Sequence, residues 1–221
     1  MILKPADHRS WLEARRRGIG GSDAGAVIGV NRYRSNVDVW AEKTGITPRE
    51  DISDKPAVKF GKEAEQHLRE LYKLEHPEHS VEYHEFYMYV NDNEPYLYAT
   101  LDGEITDESG RRGILEIKTA TIQSASQWDE WRDPKTKAER IPDSYYAQCL
   151  HQLAATGWDF VTLFAYIRTG YQNAQYTAHV LTRHIERADV ADDITYLIAQ
   201  ETEFWQAVET KQRPPLKLPK I

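Results

Sequence analysis

Leu101-Asp102-Gly103-Glu104-Ile105, followed across the turn residues Asp107-Glu108-Ser109-Gly110 by Gly113-Ile114-Leu115-Glu116-Ile117-Lys118, is the stretch on which the fold turns. Aliphatic and β-branched residues flank a polar, glycine-containing turn, the pattern of a hairpin. The midpoint of positions 102 and 116 is 109, inside that turn, so a symmetric hairpin sets Asp102 opposite Glu116 on one face. Lys118, two residues on, shares the face, while Leu115 and Ile117 point to the core. Opposed carboxylates repel, and one lysine offsets that only in part; a divalent cation does so better. No Cys or His joins the cluster, so its oxygen donors suit Mg²⁺ or Mn²⁺ rather than zinc. Phosphodiester hydrolysis uses such a site, with Lys118 orienting or deprotonating a water. A solvated hairpin carries similar charges, but a Glu and a Lys interleaved with Ile114, Leu115 and Ile117 lie in a strand that reads as buried on one side.

Around this hairpin the chain alternates helical and extended patterns. Short helices are expected at 10–16, from Ser22, and at 37–44; Ser22 reads as an N-cap whose hydroxyl serves the first free amides. Phe60, Ala64, Leu68 and Leu71 mark an amphipathic helix over 57–74 with Glu63 and Glu65 on its polar flank. Strands are expected at 81–90, 96–105 and 113–119 as an antiparallel meander. A helix from Pro142 to Gly157 follows, then strands at 160–167 and 176–181. Val190, Ile194, Leu197, Phe204 and Val208 place a C-terminal amphipathic helix at about 187–212, stopped by Pro214-Pro215. The order predicts an α/β (α+β) fold in a single domain over 1–221.

Composition narrows the classes. With 28 Lys+Arg against 35 Asp+Glu among 221 residues, the net charge of −7 excludes a uniformly basic nucleic-acid coat. At 40% hydrophobic and 11% aromatic the chain has enough apolar surface for a core, which argues against disorder. A single cysteine, Cys149, forms no intrachain disulfide and cannot make a four-Cys zinc site. The longest apolar runs, such as 160–167, are far below the roughly 20 residues of a membrane helix, and Asp7, His8 and Arg9 interrupt any secretory leader. A reduced, cytoplasmic protein is expected.

Asp102 and Glu116-Ile117-Lys118, with Leu101 where the name-giving proline stands, resemble the motif of the PD-(D/E)XK nuclease superfamily. Three further motifs narrow the likeness: Trp11 with Arg15 and Arg17-Gly18-Ile19-Gly20-Gly21-Ser22-Asp23; Phe60-Gly61-Lys62-Glu63-Ala64-Glu65; and Tyr145-Tyr146-Ala147-Gln148. In order and spacing, over about 10–165, the chain is similar to the phage lambda exonuclease and YqaJ-type viral recombinase family. The resemblance implies a restriction-endonuclease-like core with a central mixed β-sheet flanked by helices. It also implies a Mg²⁺-dependent exonuclease, with Mn²⁺ able to substitute and two ions bound, digesting the 5′-ended strand of linear duplex DNA to mononucleotides. Asp102, Glu116 and the Ile117 backbone carbonyl would hold metal, Lys118 would activate the water, and Glu65 and Gln148 would complete the pocket, with Tyr145 in its wall. Arg15 and Ser22 would hold the terminal 5′ phosphate, with Thr100 as a third hydroxyl ligand; Trp11 would pack beneath them or meet the terminal base pair. Implied partners are linear DNA ends, further copies in a homo-oligomer such as a ring-shaped trimer, and a single-strand annealing protein, in a phage or prophage setting. A structure- or sequence-specific endonuclease of the same fold, or a non-catalytic DNA-end-binding scaffold, are the competing functions.

The N-terminal motif also has a logic of its own, since free amides at a helix start attract phosphate and Arg15 can bind the same anion bidentately. Gly18-Ile19-Gly20 is not a dinucleotide fingerprint, because Asp23 stands where the third glycine belongs. His76 and His79, without a Cys or a further His, read as solvated. Arg132, Lys135, Lys137 and Arg140 around Pro134 read as a solvated loop.

Overall fold

A computed structural model describes residues 1–48, 50–172 and 175–218. In chain order the elements are β1 (Ile2–Leu3), α1 (His8–Arg15), β2 (Ile19–Gly20), α2 (Gly21–Val27), α3 (Asn36–Lys43), α4 (Pro56–Glu75), β3 (Ser80–Glu82), β4 (Met88–Val90) and β5 (Leu97–Ala99). There follow β6 (Gly103–Thr106), β7 (Arg112–Ile122), α5 (Ala125–Trp128), α6 (Asp143–Thr156), β8 (Phe160–Gln172) and β9 (Gln175–Glu186). A 3₁₀ turn (Arg187–Val190) then leads into α7 (Ala191–Glu209).

The strands form two mixed sheets. The first has the order β1-β4-β5-β2, with only the β2–β5 pair parallel. The second has the order β3-β6-β7-β8-β9, with β7 and β8 parallel and the other pairs antiparallel. Parallel strands need a crossover; here it carries α5 and α6. Helix α6 packs on β4 and β5 of the first sheet and on β7 and β8 of the second, with α2 and α7 over its other flanks. Buried on all sides, α6 ends at Gly157, whose φ of +71° is the left-handed C-terminal conformation that glycine adopts without strain. Leu150, Leu153 and Ala154 join Tyr89 and Ala99 of the first sheet and Leu163 and Ala165 of the second in the main core. On the opposite face of the second sheet, Leu68 and Tyr72 of α4 pack with Ile117, Leu115 and Phe164. Close approach at the β7–β8 seam requires Gly113, where a Cβ would stand 2.0 Å from the Phe160 ring.

This is a mixed α+β architecture with helices on the sheets, as the sequence leads one to expect, but the meander is corrected. The 81–90 run does not form one strand: it breaks into β3 and β4, which lie in different sheets, and Phe86 between them has φ +64°. The 96–105 run also splits, β5 joining the first sheet and β6 the second. A run rich in strand-forming residues does not reveal such a change of sheet, because strand propensity is the same whichever sheet each half joins. The β6–β7 hairpin has the register expected from its midpoint, with Gly103 opposite Leu115 and Ile105 opposite Gly113. Strand β7 is covered on both faces rather than one, by α4 and by α6, and Glu116 is only 1% exposed. Ser22 is not the N-cap of α2: Gly20 is, Ser22 is the second helical residue, and the Asp23 carboxylate accepts from the Gly20 N–H at 3.3 Å. No helix among the described residues is long and apolar enough to cross a membrane.

Candidate active site

Asp102 lies where the chain leaves the first sheet and enters the second, one residue before β6, and its Oδ2 accepts from the Ile117 amide at 2.8 Å. That bond fixes it across the hairpin beside Glu116. Glu116 Oε1 receives the Lys118 ammonium and Gln148 Nε2, the latter at 2.6 Å; its Oε2 receives Gln152 Nε2. Gln148 Oε1 accepts in turn from Lys118 Nζ at 3.0 Å, so one amide bridges carboxylate and lysine. Lys118 Nζ also lies 5.2 Å over the Tyr145 ring.

Glu65 reaches the cluster from the middle of α4. Its Oε1 accepts from Arg69 at 3.0 Å, and Arg69 Nε donates to the Asp102 backbone carbonyl at 2.5 Å while its guanidinium stacks 3.8 Å over Tyr83. Three carboxylates thus converge with one ammonium and one guanidinium, a net charge of −1 in a region largely shielded from water. Burial, reinforced by Glu116 and Glu65, pushes the Asp102 carboxyl well above the usual carboxylate range. Burial also raises Glu65, against the lowering influence of Arg69. For Lys118 burial alone acts downward, but Glu116 and Asp102 outweigh it and hold the ammonium above its ordinary value. Their carboxylates thus favour the ammonium form of Lys118.

A second cluster carries the N-terminal motif. The Arg15 guanidinium lies 4.4 Å over the Trp11 ring, and its Nε donates to the Tyr98 hydroxyl at 3.4 Å. Trp11 sits among His8 and Phe86, with ring centroids 5.5 and 6.0 Å away, and its buried indole N–H has no hydrogen-bond partner among the described residues. Ser22 is exposed at the start of α2, and Thr100 is half-buried in the segment linking the two sheets. The start of α2 abuts the carboxylate cluster: a Cβ at Gly21 would lie 3.1 Å from Gln148 Cγ.

The structure therefore gathers Asp102, Glu116, Lys118, Gln148, Tyr145 and Glu65 in one place, and Trp11 and Arg15 in a second, with Ser22 at the α2 end that abuts the first. Arg69 and Gln152 escape a reading by motif. Their signal is the spacing Glu65/Arg69 and Gln148/Gln152, four residues apart on one helix face; two glutamines on a helix buried all round need partners. Removing Gln152 leaves Glu116 Oε2 without that donor. Gln152→Ala is expected to cost about 1–3 kcal/mol, read as a lower thermal midpoint, and an unchanged midpoint would show that the bond contributes nothing. His151, also on α6, is fully buried between Glu201 Oε1 at 2.7 Å and the Tyr98 carbonyl at 2.9 Å, tying α7 to the first sheet.

His76 and His79 are not simply solvated, as their sequence setting suggests. With Glu78 they bring ligand atoms within 4.8 Å of one another, and both rings are engaged, His76 by Glu78 at 3.0 Å and His79 by the Tyr72 hydroxyl at 2.8 Å. They lie at the C-terminal end of α4, about 16 Å of helix rise from Glu65.

The two mixed sheets and the helices packed on their faces define a mixed α+β fold. Residues 10–159 match the model of the YqaJ-like viral recombinase domain, and the chain belongs to that family. It is 27% identical over 208 residues to YqaJ of Bacillus subtilis (strain 168), covering 88% of this chain but only 54% of that protein. The fold is similar to that of an alkaline exonuclease, LHK-Exo, from Laribacter hongkongensis, with TM-score 0.57, 22% identity, and 93% and 96% of the two chains covered. It is also similar to a phage-related exonuclease from Haemophilus somnus 129PT, with TM-score 0.55, 11% identity, and 88% and 96% covered.

Proposed function

We propose that this chain is a Mg²⁺-dependent 5′→3′ exonuclease that digests the 5′-ended strand of linear duplex DNA and leaves a 3′ single strand for recombination. The observation that carries the proposal is the convergence of Glu65, Asp102 and Glu116 with Lys118 in one shielded pocket, next to the start of α2. Family membership and the fold shared with two exonucleases support it.

The donor set fits a hard divalent cation. All its ligands are oxygens, and a buried excess of one negative charge is offset by cation binding. Asp102, Glu116 and the Ile117 carbonyl would hold it, with Glu65 at the edge. A bound ion would supply Lewis-acid stabilisation of the attacking and leaving oxygens. Gln148 holds Lys118 Nζ against Glu116 and so sets where the lysine stands. Held there, Lys118 Nζ would act as general base only after giving up one proton to solvent, its freed lone pair then accepting a proton from the attacking water. Tyr145 walls the lysine from solvent. Arg15 and Ser22 would take the terminal 5′ phosphate, with Thr100 alongside. Trp11 supports Arg15 through its ring face.

The proposed working unit is the single domain of residues 1–221, assembled as a homo-oligomer on the DNA. The test is digestion of 5′-phosphorylated linear duplex against closed circular duplex in Mg²⁺. Mononucleotides are expected from the linear form alone; comparable cutting of both would mean an endonuclease, and cutting of neither a binding scaffold. Arg15→Ala is expected to abolish the rate advantage of a 5′-phosphorylated over a 5′-hydroxyl end. A preference that survives in the variant removes Arg15 from the phosphate pocket.

A further inference from the structure

Beside the carboxylate cluster, the loop after β7 and the outer strand β9 enclose a cleft of about 410 Å³ that the proposed hydrolysis does not use. That volume is the size of a site for one small ligand. Its floor is placed by sheet register. Lys118 pairs with Ala165, which pairs with Leu181, and Glu116 pairs with Leu163, which pairs with Arg183. Directly paired residues point to the same face, so Leu181 and Arg183 share the face of Lys118 and Glu116. Two strand spacings separate them, about 10 Å. Trp131 forms the partition: it lines the cleft, and its ring lies 5.8 Å from that of Tyr145, over which Lys118 is placed.

The lining is aromatic and cationic. Trp128 meets His179 edge to face at 5.4 Å and 83°, leaving a rigid aromatic corner. Arg132 Nε donates to the Lys137 carbonyl at 3.2 Å and Lys137 Nζ to the Pro134 carbonyl at 2.7 Å. Both partners are neutral, so among the described residues neither charge is compensated by an ion pair. Arg183 holds Glu139 at 3.0 Å, but its Nε is shielded from water without a hydrogen-bond partner among the described residues. Of the two acidic residues at the cleft, Asp133 is taken up by Arg140 and by the amides of Lys135 and Thr136, while Asp129 also lines it, so the three cations Arg132, Lys137 and Arg183 outnumber the lining acids by one. A flat aromatic corner beside uncompensated cations is the chemistry that receives an unpaired base and its phosphate.

We propose that this cleft binds one unpaired nucleotide of a DNA strand, a few nucleotides at most from the one at Lys118, since only about 10 Å, two strand spacings, separates the two places. The inference rests on the nuclease reading for its substrate, and it makes the basic loop part of the strand path rather than a solvated tether. The corner stacks the base and the cations hold its backbone, so affinity for single strands depends on both.

The test titrates fluorescein-labelled dT12 into the full chain by anisotropy, with Ca²⁺ in place of Mg²⁺ so that the strand survives. Trp128→Ala is expected to weaken binding at least about 5-fold and Trp128→Phe to restore most of it, as one stacked base would require. Lys137→Ala, at an exposed position where misfolding is not a concern, is expected to weaken binding and to flatten the slope of log affinity against log salt by about 0.7, one phosphate contact on a single strand. Wild-type affinity in Trp128→Ala together with an unchanged salt slope in Lys137→Ala would overturn the site. Should the tryptophan variant melt early, the lysine variant decides alone. Wild-type digestion of linear duplex in Mg²⁺ is scored separately: its failure rejects the nuclease reading, whereas digestion with indifferent Trp128 and Lys137 variants rejects the cleft only.

Discussion

Replacing Lys118 by alanine is expected to lower Mg²⁺-dependent release of mononucleotides from linear duplex DNA by about 10²–10⁴-fold, the range lost with a positioned proton-transfer group. Lys118 Nζ has two partners, Glu116 and Gln148, so its position is fixed by the fold and a solvent amine cannot replace it. Lys118→Arg is not a rescue: guanidinium does not lose its proton and its planar fork cannot occupy the space of an ammonium. The same substitution affects stability without metal. It leaves Glu116 and Asp102 buried with no ammonium between them, and removing one partner of a buried pair costs about 3–5 kcal/mol. Added Mg²⁺ should recover much of the lost thermal stability, because it replaces the missing positive charge. Wild-type turnover in Lys118→Ala would sink the assignment. So would a metal-free midpoint equal to that of the wild type, since the pairing with Glu116 would then be energetically silent.

The second large effect is a trade of activity for stability at Asp102. Burial, Glu116 and Glu65 all disfavour its ionised form, so ionising Asp102 costs the folded protein stability when no cation is bound. Asp102→Asn retains an oxygen to accept from the Ile117 amide, now at 2.8 Å, and removes the charge. It is expected to abolish hydrolysis and to raise the metal-free midpoint by about 2–4 °C per kcal/mol gained, for a chain of this length. The pH dependence follows from linkage. A carboxyl whose folded-state pKa is raised binds more protons folded than unfolded, so its contribution makes stability fall as pH rises from the ordinary carboxylate range through the raised value. Metal-free wild type should show that fall, and Asp102→Asn should make it shallower by the Asp102 share while Glu65 keeps its own; saturating Mg²⁺ should flatten it in the wild type. Melting curves across pH measure all three; equal slopes in wild type and variant would mean that Asp102 is not the strained group.

The facing of Asp102 and Glu116 is legible in the sequence because a hairpin is a local object. A turn centred at 109 fixes the register of residues on either side, and the observed pairs Gly103/Leu115 and Ile105/Gly113 obey it. Helices α4, α6 and α7 are legible for the same reason, their periodicities and stop signals lying within one stretch of chain. The split of the 81–90 and 96–105 runs is not legible. Strand-forming residues report an extended backbone, not which sheet it joins, so the exposed β3 and the buried β4 read as one run. Ser22 as N-cap fails for a related reason: Asp23, three residues after Gly20, reaches back to the Gly20 amide, and the helix starts two residues earlier than a Ser22 cap would allow.

By itself, then, the sequence determined the hairpin, the principal helices and the carboxylate–lysine face, all of which depend on spacing along the chain. Only the tertiary structure decided that Gln152 and Arg69 brace the carboxylates, that the start of α2 abuts Gln148, and that Trp128 and Arg183 close a cleft two strands from Lys118. Those relations join residues tens of positions apart. They are set by the burial of α6 between two sheets, where every polar group must find a partner from another element.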